Sequence, residues 1–131
     1  MSVENFWGDI ADPAGQRTPV SILREQATIL NQLTKGLLVG IITQQSHPNL
    51  LIYTFDIRAP GLNNYQINVL SMNYPITSIY PVAVTDRMRN VQVQCGDEGK
   101  FVETIKQTLS SVAVKNVISA LLIQSKDAPK N

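Results

Sequence analysis

Cys95 is the one cysteine in the chain and His47 the one histidine, and a thiol–imidazole pair is the sharpest chemistry these residue types could support. A thiol just ahead of a helix start has its pKa lowered by the helix dipole, and an imidazole within reach can serve as its base. The spacing works against such a pair. His47 falls in the turn between the first two strand-like segments, whereas Cys95 ends the fifth. In a meander these positions are separated by about 15 Å, at about 4.8 Å per strand. Cys95 also shares the apolar side of its segment with Val91 and Val93, which is the setting of a core cysteine.

Three charged clusters have simpler readings than catalysis. Gly96-Asp97-Glu98-Gly99-Lys100 has a glycine-and-lysine look. A phosphate loop, however, needs four residues between its glycines and a hydroxyl residue after the lysine. Here Phe101 follows Lys100, and Asp97 and Glu98 would repel phosphate. A capped helix with an acidic first turn accounts for the segment. Asp9 and Asp12 could act as an acid–base pair or hold a hard cation only with further ligands, and Asp12-Pro13-Ala14-Gly15 reads as a turn. Arg87 and Arg89 flank Met88 in a second turn, where solvated charges are the ordinary outcome. No catalytic residue, metal site or cofactor is expected.

Gln26 is the polar residue that breaks a pattern. It falls in the middle of an apolar helical stripe formed by Ile22, Leu23, Ile29, Leu30 and Leu33. A buried amide without partners costs about 1–3 kcal/mol. Either Gln26 bonds to backbone or an internal water, or it lines a pocket or a subunit contact. If a pocket lies between sheet and helices, Gln26, Tyr53 and Cys95 are the residues expected near it.

The elements that position these residues follow from periodicity. Thr18-Pro19 reads as an N-cap followed by proline at the first helical position, with the helix running to about Lys35 and Gly36 as its stop. Five strand-like segments come next: Leu37–Gln45, Leu50–Arg58, Tyr65–Asn73, Thr77–Thr85 and Val91–Cys95. Pro81 cannot donate to a ladder, so the fourth is expected to be bulged or at an edge. The short connections predict antiparallel neighbours, hence a meander. Asp97 caps a helix carrying Phe101, Val102, Ile105 and Leu109, and Ser110 or Ser111 caps another carrying Val114, Val117, Ile118, Leu121 and Leu122. On one continuous helix these stripes would point about 170° apart, so a break at the serines is expected.

The fold class is therefore α+β: an N-terminal helix, a five-stranded antiparallel meander sheet and two C-terminal helices packed on the sheet. Residues 18–125 form a single domain, preceded by an arm over 1–17 and followed by a flexible tail over 126–131. With 131 residues and 44% hydrophobic content, the chain can bury a core without staples. Its charged fraction is low, 16%, which leaves little self-repulsion against association.

A net charge of +1 with scattered lysines and arginines provides no basic stripe for nucleic acid. No apolar run approaches the length of a membrane span, and the first residues lack the character of a secretory signal. A cytoplasmic location is the expectation. The preferred functional reading is a non-catalytic protein-interaction module or small subunit, binding a protein partner or itself as a homodimer. The alternative is a small-molecule-binding protein or enzyme with a pocket between sheet and helices. Phe6, Trp7 and Ile10 on the arm, and Ile123 away from the main stripe of its helix, are the expected interaction residues. The arm either seals an edge of its own domain or reaches a second chain.

Overall fold

The computed structural model describes residues 4–128. The first three residues of the arm and residues 129–131 of the expected tail lie outside them.

Helix α1 (Pro19–Leu33) starts where its cap predicts. Ser21 N–H donates to Thr18 Oγ1 at 3.1 Å, and Thr18 N–H donates to Ser21 Oγ at 2.9 Å. The helix closes two residues earlier than expected. Thr34 is its C-cap; its hydroxyl donates to Leu30 O and accepts from Leu38 N–H. Gly36 then turns the chain at a φ of 82° and donates to Asn31 O, a conformation that costs glycine little.

Strands β1 (Val39–Gln45), β2 (Leu50–Ala59), β3 (Tyr65–Pro75), β4 (Val82–Asp86) and β5 (Val91–Cys95) form one antiparallel sheet in sequential order. A 3-10 turn, Pro60–Leu62, joins β2 to β3. Two expectations about strands need correction. The fourth strand begins at Val82 rather than Thr77, because Ile76–Pro81 folds as a connection with Ile79 at a φ of 70°. Moreover, β4 is an interior strand; β1 and β5 are the edges. Pro81 therefore sits before the ladder and removes no hydrogen bond from it. A bulge opposite Phe55 and Asp56 also shifts the phase of β3, so that Val69 and Leu70 are both buried.

Register separates the two faces. Phe55, Ile57, Leu70, Met72, Val84 and Cys95 point to one side and form the core. Thr54, Ser71, Asn73, Thr85, Gln92 and Gln94 point to the other, which no helix covers. Helix α1 lies over β1, where Gly40 admits Ala27. Helix α2 (Glu98–Leu109) lies over β4 and β5. Helix α3 (Val112–Lys126) follows after a bend of 49° and packs beside the 3-10 turn. The break occurs at the serines as expected, with Ser111 accepting from Val114 N–H. Helix α3 extends one residue into the expected tail.

Candidate docking groove

The apolar stripe of α1 is only half used by its own core. Val20, Ile22 and Leu23 are buried, but Ile29 is partly exposed and Leu33 is 78% exposed. Helix α1 covers one edge of the sheet and α2 the other, and the bent α2–α3 pair does not close the space between them. An apolar groove results.

One part of it, about 410 Å³, is lined by Ile22, Gln26, Val102, Ile105, Leu109 and Ile118, with Arg17, Lys106, Ser110 and Lys115 around it. A second part, about 170 Å³, runs on between the exposed end of α1 and α3, over Phe55 and Ile57. Gln26, Leu109 and Ile118 belong to both, so the two parts form one continuous surface. Its larger part lies within the size range of small-molecule and peptide sites.

The electrostatics of the groove have one sign. Three cations stand around it, and among the described residues no carboxylate lines either part. Arg17 is bridged to Glu25 at 3.0 Å on the exposed side of α1. Among the described residues neither Lys106 nor Lys115 takes part in an ion pair. A cationic rim around an apolar floor suits an acidic amphipathic segment.

The groups with displaced pKa values lie elsewhere. Burial pushes the Tyr74 phenol up to about 12, aided by the charge and hydrogen bonding of the neighbouring Tyr53 phenol, whose ring stacks with centroids 6.1 Å apart. Tyr80 is raised, first by burial and then by Glu98 and Asp97. Burial also works to raise Asp86, but hydrogen bonds from Arg89 and Met88 outweigh it and hold the carboxyl below its ordinary value. None of the three lines the groove.

The residues singled out from sequence are only partly brought together. Gln26 lines the groove; Tyr53 and Cys95 do not. Tyr53 is buried against Tyr74. Cys95 is fully buried, with its thiol 3.5 Å from Thr104 Oγ1, while His47 is exposed in the β1–β2 loop at the other edge of the sheet. Ile123 is 65% exposed and lines no part of the groove. Phe6, Trp7 and Ile10 are 87%, 82% and 75% exposed, so the expectation that the arm seals an edge of its own domain is not met. A local turn between Asn5 and Gly8 shapes the arm without burying these three side chains.

Sequence reasoning missed the far wall of the groove. Leu109, Val114 and Ile118 were visible as members of two separate stripes, but only the bend between α2 and α3 turns them toward α1. Comparison with protein-family models, with curated proteins and with solved structures gives no match to this chain.

Proposed function

We propose that this chain is a non-catalytic interaction protein that docks another polypeptide in the groove between α1 and the α2–α3 bend. The observation that carries this reading is the pairing of an open apolar floor with exposed apolar residues on its own helix. Ile29 and Leu33 continue the stripe whose first half builds the core, and Val112 at the start of α3 is also exposed. Such residues are costly to leave in water and are characteristic of surfaces that meet a partner. The arm adds two aromatics and an isoleucine, the kind of side chain that dominates interface energetics.

A small-molecule reading draws on one specific feature, the concave volume with an amide and two lysines at its rim. A photo-crosslinking amino acid placed at Leu33, with a control at Gln94 on the uncovered sheet face, separates the two. The docking reading predicts a discrete protein adduct from Leu33, none from Gln94, and loss of the adduct in an Ile118→Glu variant. Equal labelling from both positions would defeat it. So would native mass spectrometry showing a small molecule retained by the wild type and lost in the same variant.

A further inference from the structure

We propose that the polypeptide bound in the groove is the N-terminal arm of a second copy of this chain, exchanged reciprocally in a two-fold dimer. The inference rests on reading the groove as a protein-docking site, and it names the occupant.

Charge complementarity selects the arm. Residues 4–12 contain Glu4, Asp9 and Asp12 and no lysine or arginine, with Phe6, Trp7 and Ile10 between the acids. The groove presents the converse: an apolar floor, the cations Arg17, Lys106 and Lys115 around it, and no carboxylate in its lining among the described residues. Each surface has what the other lacks.

The structure of the single chain shows both halves open. Arg17, where the arm joins α1, stands at the rim of the groove, yet the three apolar side chains of the arm remain in solvent. The turn at Asp12–Gln16 is locally fixed, with Ala14 N–H on Asp12 Oδ1 and Gln16 N–H on Pro13 O. From that turn the arm can span about 17 Å between Asp12 and Trp7 when extended, which requires the two copies to lie in direct contact. A reciprocal exchange uses both surfaces twice and closes on itself, so it stops at two copies. The low charged fraction keeps repulsion between copies small.

The test uses the full chain in two variants. Phe6→Ala/Trp7→Ala/Ile10→Ala disables the arm and leaves the groove intact; Ile29→Glu/Leu33→Glu disables the groove and leaves the arm intact. All five positions are exposed in the single chain, so both variants should fold, which circular dichroism verifies. Light scattering should show the wild type dimerising at high micromolar concentration, with each variant weaker by about thirtyfold or more. Mixing the two variants should restore a heterodimer through the one intact arm–groove contact.

Trp7 is the sole tryptophan, so its fluorescence reports the site directly and should shift to the blue as the concentration rises. A monomer with Trp7 already shielded at low concentration would place the arm in its own groove and overturn the proposal. A monomer with Trp7 in water at all concentrations would overturn it too, as would a dimer that survives in the arm variant. If the chain stays monomeric while the Leu33 crosslinker still captures a different protein, only the identity of the occupant is wrong. If neither occurs, the docking reading falls as well.

Discussion

Asp86 fixes the geometry of the β4–β5 hairpin through one buried carboxylate. Its Oδ1 accepts from the backbone N–H groups of Met88 and Arg89 at 2.9 and 3.0 Å, and its Oδ2 accepts from Arg89 Nε at 2.6 Å. The backbone bonds matter more than the ion pair, because the Arg89 side chain is 47% exposed and its charge is screened. Asp86→Asn keeps the shape but turns one of the two acceptor oxygens into an N–H donor facing a donor, and should cost about 1–3 kcal/mol in a denaturation experiment. The carboxyl titrates lower in the folded chain than in the unfolded one. Its contribution is therefore present above the unfolded value, about 3.9, and is lost as pH falls through the folded value. Denaturation midpoints measured from pH 6 down to pH 3 should fall for the wild type, and the fall should be shallower for Asp86→Asn. Equal slopes would show that other carboxylates account for the acid sensitivity. In the sequence Asp86 was legible only as the start of a turn, since nothing local reveals that its side chain would be buried.

At the scale of elements, helix α1 approaches the sheet closely at Gly40 on β1. A Cβ there would lie 2.7 Å from Ala27 Cβ, 2.9 Å from Ala27 Cα and 3.1 Å from Phe55 Cζ. Two of the three contacts are to atoms that cannot rotate away, so Gly40→Ala must lift α1 from the sheet. Overpacking of this kind costs about 1–3 kcal/mol, and thermal unfolding of the variant should show it; an unchanged melting temperature would mean that α1 is not seated as described. Adding Ala27→Gly should recover part of the loss. This contact was not legible, because glycine in a strand signals close approach in general without naming the partner. What was legible depended on signals carried within one segment. Thr18-Pro19 marked the start of α1, the Ser110-Ser111 pair the start of α3 to within a residue, and alternation the full extent of Val91–Cys95. The errors came where neighbours decide. Thr77–Ile79 looked like strand because β-branched residues favour it, yet the chain turns there to bring β4 beside β3. The bulge at Val69 depends on the β2–β3 register, which alternation in one strand cannot reveal. Gln26 was found because it violates a pattern, whereas Leu109, Val114 and Ile118 obey theirs and are revealed as a wall only by an interhelical angle.

The whole molecule puts three helices on one face of a five-stranded sheet; on the other, threonine, serine, asparagine and glutamine side chains are interspersed with Ile41, Ile52 and Ala83. The large apolar side chains most exposed to solvent lie on the arm and on the helices: Phe6, Trp7 and Ile10, Leu33 on α1, and Val112 and Ile123 on α3. In a single chain the arm stabilises nothing: its apolar residues are exposed, and truncating exposed side chains usually changes stability by less than about 0.5 kcal/mol. Trp7→Ala should therefore unfold at the wild-type temperature when both are dilute. Exchange of arms changes the comparison at higher concentration, because a partner that binds only the folded chain adds stability that grows with concentration. The melting temperature of the wild type should then climb between low and high micromolar protein, while that of Trp7→Ala stays flat. Scanning calorimetry at four or five concentrations resolves the two curves. Parallel curves would mean that the arm does not participate in assembly, and a Trp7→Ala variant already less stable at the lowest concentration would mean that the ring packs within its own chain.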